Sequence, residues 1–84
     1  MYVSVIHTIS EPDPFWAAAE AGLDTPEGVT LHSSYPNGDG SKAVCLWEGP
    51  SADAVRDFVD GAAGSYASNE YFEVNAERAQ GLPG

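Results

Sequence analysis

Basic side chains are almost absent from this chain: Lys42, Arg56 and Arg78 stand against 13 acidic residues, and the net charge is −10. A field of that sign repels phosphate backbones and anionic lipid surfaces, so nucleic acid and membranes are excluded as expected partners, and cations are the partners it favours. The plainest use of the acidity is solubility. Cys45 is the single cysteine, which rules out an internal disulfide and any paired-cysteine metal motif. No apolar run approaches the roughly 20 residues of a membrane span. Met1-Tyr2-Val3 leads straight into a strand pattern, without a basic segment or a long apolar stretch before it, and a cytoplasmic location is expected. Complete catalytic and metal motifs such as HExxH or HxH are lacking too. With 84 residues the chain has enough material for one small domain, placed at 1–78 with a frayed tail at 79–84. Such a domain has a thin stability margin, and pairing with a second copy is the natural way to bury more apolar surface.

What is present is a clear alternation of elements. Tyr2 to Ile9 is rich in Val, Ile, Thr and Tyr and reads as a strand. Asp13-Pro14 supplies a helix cap followed by proline at the first helical position, where a missing N–H costs nothing. Phe15, Ala18 and Ala19 then form an apolar stripe flanked by Trp16 and Leu23, and Gly22 is a suitable stop. Gly28 to Tyr35 alternates again, and Pro36-Asn37-Gly38-Asp39-Gly40 is a turn leading into a return strand from Lys42 to Glu48. Gly49-Pro50 breaks that strand, Ser51 caps a second helix to about Ala63, and Val55, Phe58, Val59 and Ala62 make its stripe. A fourth strand is expected over Glu70 to Asn75.

The order β-α-β-β-α-β predicts an α+β, ferredoxin-like plait, a four-stranded antiparallel sheet with two helices on one face. Burying the helix stripes suggests that Val29, Leu31, Val44, Leu46, Phe72 and Val74 face the helices. Thr30, His32, Ser34, Cys45, Trp47, Tyr71, Glu73 and Asn75 then share the opposite face, joined by Tyr2, Ser4, Ile6 and Thr8 if Val3 and Val5 point to the helices. A face that mixes tryptophan and tyrosine with polar groups calls for a cover, either a partner sheet or a ligand.

Gly28-Val29-Thr30, Ser34-Tyr35 and the run from Cys45 to Arg56, with its aromatic-acid pair and its Gly-Pro-Ser, resemble a family of small bacterial ferredoxin-like proteins classed as domains of unknown function. One branch of that family is described as nickel-binding. The resemblance implies a dimeric α/β barrel, in which two sheets pack face to face and enclose a cavity. Of the polar residues it carries over Cys45. The family's opening acidic-basic pair is replaced here by Ile6-His7.

Two constellations are candidates for chemistry. A turn centred on Gly38-Asp39 makes His32 and Cys45 cross-strand neighbours, which with His7 or Glu73 as a further ligand would suit Ni²⁺ or Zn²⁺. A turn one residue earlier leaves Cys45 diagonal to His32 on the same face, while the phase of Val3 and Val5 sends His7 toward the helices. The second constellation is a ligand pocket of His32, Cys45, Trp47, Tyr71 and Glu73, with the aromatics as walls and His32 as acid or base. Trp47 and Tyr71 are equally suited to anchor a dimer interface. The expectation is therefore a non-catalytic homodimer that binds a small ligand or transition metal on the sheet face opposite the helices. The alternative is a cofactor-independent enzyme of the monooxygenase or cyclase type, with its pocket around His32.

Overall fold

Val3, Val5, His7 and Ile9 lie on one side of the first strand, and all four are buried. That side of the strand sets the core. In the computed structural model, which describes residues 1–20 and 25–83, the elements are β1 (Tyr2–Ile9), α1 (Pro12–Glu20), β2 (Thr30–Pro36), β3 (Lys42–Glu48), α2 (Ala52–Ala63) and β4 (Ala67–Glu73). The strands form one antiparallel sheet in the order β2-β3-β1-β4. This is the ferredoxin-like plait the element order predicts. The expected stop at Gly22 and the flanking Leu23 lie outside the described residues.

Both helices cover the same face. Val55 and Val59 of α2 pack into a cluster with Val3, Val5, Val29, Cys45 and Trp47. Phe15 of α1 packs with Ile9 and Ala43 in a second cluster that Trp16 and Ala63 close. Ser51 caps α2 as expected, with its hydroxyl accepting from the Ala54 N–H at 3.0 Å, an interaction worth about 1 kcal/mol. Helix α1 starts two residues sooner than its Asp-Pro signal suggests, at Pro12 rather than Pro14, because the Phe15 N–H reaches the Glu11 carbonyl at 3.1 Å. Proline without an N–H suits either start.

The register corrects the expected assignment of faces. Val5 pairs with Cys45 on one side and with Tyr71 on the other, so Cys45, Trp47 and Tyr71 share the helix-facing side with Val5. Trp47 is 3% exposed and Cys45 is 6% exposed, whereas Val44 and Phe72 are 47% and 50% exposed on the open face. The physical reason is bulk and partnership: β3 is apolar in both phases, and the phase that buries Trp47 and Cys45 puts them beside Val3 and Val5. Val44 and Leu46 are thus not core residues. Strand β4 also begins earlier than expected, at Ala67, and places Ala67, Asn69 and Tyr71 toward the helices.

The hairpin supplies the second correction. Pro36 pairs with Ala43 and Ser34 with Cys45, so the turn centres on Asp39-Gly40 rather than on Gly38-Asp39. Asn37 holds it from both ends, its N–H donating to the Lys42 carbonyl at 2.8 Å and its side-chain carbonyl accepting from the Lys42 N–H at 3.0 Å. Gly40 has φ +74°, and Trp16 of α1 donates its indole N–H to the Gly40 carbonyl at 2.9 Å. A Cβ there would stand 2.8 Å from that indole nitrogen, so glycine is required twice over. Nearer the other end of β2 the register slips at a bulge between Leu31 and Ser33, and His32 is the extra residue. Near the end of the chain the Tyr2 hydroxyl donates to the Pro83 carbonyl at 2.9 Å.

Candidate functional site

A cavity of about 60 Å³ lies between the helices and the sheet. Its floor is Cys45, with His7 and Trp47 at the two ends, and its roof comes from Phe15 and Trp16 of α1 and Phe58 of α2. Leu31 and Ser34 of β2, both exposed, line it at the sheet edge. The walls are almost entirely apolar, and the few polar groups at its margins therefore carry its chemistry.

His7 is the best oriented of these groups. Only 3% exposed, it donates Nδ1–H to Oδ1 of Asn69 at 2.5 Å, because an amide carbonyl oxygen can only accept. The Asn69 amide is itself turned by Asp60 of α2, whose carboxylate accepts from Nδ2 at 3.1 Å and from the Tyr71 hydroxyl at 2.5 Å. This line of hydrogen bonds fixes the tautomer and leaves Nε2 with its lone pair. Burial pushes the His7 imidazole below its ordinary 6.5, opposed by the Asn69 hydrogen bond and the Asp60 charge. Its ring stacks edge-on against Phe15, with centroids 5.2 Å apart.

Cys45 and Trp47 complete the floor. The Cys45 thiol donates to the Ser34 hydroxyl at 3.3 Å, and burial raises its pKa above the ordinary 9.0, partly offset by that contact. It is held as a thiol. Trp47 packs edge-on against Phe58 with centroids 5.8 Å apart, while its indole N–H is buried without an acceptor. An unsatisfied buried donor costs about 1 to 3 kcal/mol. The Tyr71 hydroxyl is raised well above the ordinary tyrosine range by burial and by its bond to Asp60.

The candidate residues divide accordingly. His7, Cys45 and Trp47 line one cavity, on the helix side of the sheet rather than on the open side. Tyr71 packs at the edge of the same core, and Glu73, exposed at the end of β4, stands opposite Val3 away from the cavity. His32 is on the other face, where its Nε2 meets Glu48 Oε1 at 2.8 Å and its ring tilts on Tyr2 at 5.6 Å. The bulge and the shifted turn separate it from Cys45, so the expected pair does not form. Among the described residues no three His, Cys, Asp or Glu side chains are grouped to hold a metal ion. His7 and a protonated Cys45 are two donors, short of a nickel or zinc centre.

Asn69 and Asp60 do not stand out in the sequence. Asn69 sits where the chain reads as a loop before β4, and Asp60 is one of several acidic residues on the polar side of α2. An earlier start to β4 would have placed Asn69 in phase with Tyr71. Compared with family models, curated proteins and solved structures, the chain gives no match. Among the described residues no helix is long and apolar enough to cross a membrane.

Proposed function

We propose that this protein binds a small, neutral, largely apolar molecule between its helices and its sheet, as a homodimer joined through the open sheet face. The observation that carries the binding reading is the indole N–H of Trp47, buried and without an acceptor in the wall of an apolar cavity. A ligand with a carbonyl or ether oxygen relieves that cost, and the net charge of −10 selects against anions. The dimer reading rests on the open face, where Tyr35, Val44 and Phe72 are exposed beside Leu46 and Ile6. That arrangement agrees with the packing implied by the resemblance of Gly28 to Arg56 to dimeric α/β-barrel proteins.

Butanone, a short ketone carrying one acceptor, is a suitable probe for the pocket. Millimolar butanone should shift the Trp47 indole N–H proton resonance in a saturable way, and Trp47→Phe should abolish that signal while leaving the Trp16 resonance in place. A Trp47 resonance that does not respond to butanone removes the binding reading. Sedimentation velocity at dilute concentration tests the dimer, and a monomer at all concentrations removes that part.

A further inference from the structure

Asp60, Asn69 and His7 form a line of hydrogen bonds that runs from the outer side of α2, across β4, to the wall of the cavity. The line uses two polar side chains, Asn69 and Asp60, to hold one buried imidazole in a single tautomer with Nε2 left for a ligand. The same arrangement of base and orienting group recurs where a neutral imidazole must take a proton. Every group that faces His7 fits that use. Phe15 of α1 covers the ring, Asp60 of α2 supplies one negative charge through Asn69, Tyr71 of β4 is a neutral phenol bound to Asp60, and Cys45 of β3 is a neutral thiol.

We propose that His7 Nε2 is a general base for a small neutral carbon acid, a ketone or related carbonyl compound, seated over Cys45. This rests on the ligand-binding reading above and gives the site a reaction. His7 and Trp47 line the cavity together with Cys45, in sheet rows four residues apart, or about 13 Å along the strand direction. In the step, the proton on the carbon next to the carbonyl moves to Nε2. The C–H electron pair becomes the enolate C=C bond, and the carbonyl π pair moves to oxygen, where the buried indole N–H of Trp47 is the available donor. The imidazolium, with Nδ1–H still on Asn69, returns its proton to the same carbon or to a conjugated one. The outcome is exchange or isomerisation, and no oxidant, reductant or metal enters the balance. His7 is the catalytic residue here, and Asn69 and Asp60 are positioning residues.

The test follows deuterium uptake by butanone in D₂O by proton NMR, with the Trp47 indole resonance recorded in parallel as the measure of binding. Wild type should accelerate exchange over buffer by about 100-fold or more, the low end of general-base catalysis, and His7→Gln should return the rate to that of buffer. If butanone moves the Trp47 resonance but wild type exchanges no faster than buffer or than His7→Gln, the base is overturned and the binding reading stands. If the resonance does not move, both fall. Asn69 provides a second arm should His7→Gln fail to fold, judged by near-ultraviolet circular dichroism. Asn69→Leu removes an acceptor that favours imidazolium, so the pH midpoint of the exchange rate should move down. Asn69→Asp places a carboxylate there, and the midpoint should move up. Midpoints that stay together in the two variants overturn the proposal, because a merely structural Asn69 would not displace them in opposite directions.

Discussion

The two faces of this sheet carry similar amounts of apolar side chain and do different things with it. On the helix side Val3, Val5, Cys45 and Trp47 are 6% exposed or less, and Cys45 and Trp47 line a cavity with one orphaned donor and one oriented imidazole. On the open side Val44, Phe72 and Tyr35 are 47%, 50% and 69% exposed, with His32 already satisfied by Glu48. The helix side is closed within one chain and the open side is not. Apolarity alone therefore does not locate a site in a plait of this size. The candidate site lies where polar groups are buried and held by other polar groups, while the open face leaves Val44, Phe72 and Tyr35 exposed.

The sharpest way to break this comparison is to truncate one residue from each face of the same strand. Trp47→Ala should lower unfolding free energy by about 3 to 5 kcal/mol, read from the urea midpoint, since it empties a packed site. Val44→Ser, three residues away on the exposed side, should change monomer stability by no more than about 0.5 kcal/mol. Equal losses would mean that the two faces are equally buried. The open face is expected to respond in a different measurement. Val44→Lys with Phe72→Lys should abolish any concentration-dependent association in sedimentation while the urea midpoint of the monomer is kept. Association that survives two lysines on that face would place the dimer contact elsewhere.

The pattern of legibility follows from the same contrast. In strand β1 Ser4 and Thr8 oppose Val3, Val5 and Ile9, which favours one phase, although His7 on the inside and Ile6 on the outside run against it. The cap at Ser51 and the break at Gly49-Pro50 are local, so they are readable from a few residues. Strand β3 offers Val44 and Leu46 in one phase and Ala43, Cys45 and Trp47 in the other, and a pattern apolar in both phases does not choose. The choice is made by the pairing of Val5 with Cys45, a long-range contact. The bulge at His32 and the turn at Asp39-Gly40 add a register shift that alternation does not encode. The same shift moves the site: His7 and Cys45 are found together, His32 is lost from the group, and Asn69 and Asp60 join it through contacts between distant parts of the chain.

Acid and alkali probe the helix side selectively. His7 has its pKa lowered by burial, so the unfolded chain binds its proton more readily. The stability it contributes is complete above the ordinary value of 6.5 and is lost as the pH falls from there through the lower folded value. Cys45 has its pKa raised, so the unfolded chain releases its proton first. Stability should decline as the pH rises above the ordinary value of 9.0. Urea midpoints measured across pH should therefore form a plateau between those two limits. His7→Gln should flatten the acid shoulder and Cys45→Ala the alkaline one. An acid shoulder unchanged by His7→Gln would assign it to carboxylates instead.

The smallest effect belongs to the histidine on the other face. His32 and Glu48 meet at 2.8 Å with side chains 23% and 45% exposed, so solvent screens the pair. His32→Ala in the monomer should cost under about 1 kcal/mol, the range of surface ion pairs. A second copy laid over the open face changes that environment, since covering His32 removes the water that screens it and makes an unpaired Glu48 costly. The single substitution should then weaken association more than it weakens folding, and a double-mutant cycle with Glu48→Gln should show coupling in the dimer that is absent in the monomer. Coupling of equal size in both states would mean that the pair stays in water, and that the cover on the open face does not reach the His32 corner of the sheet.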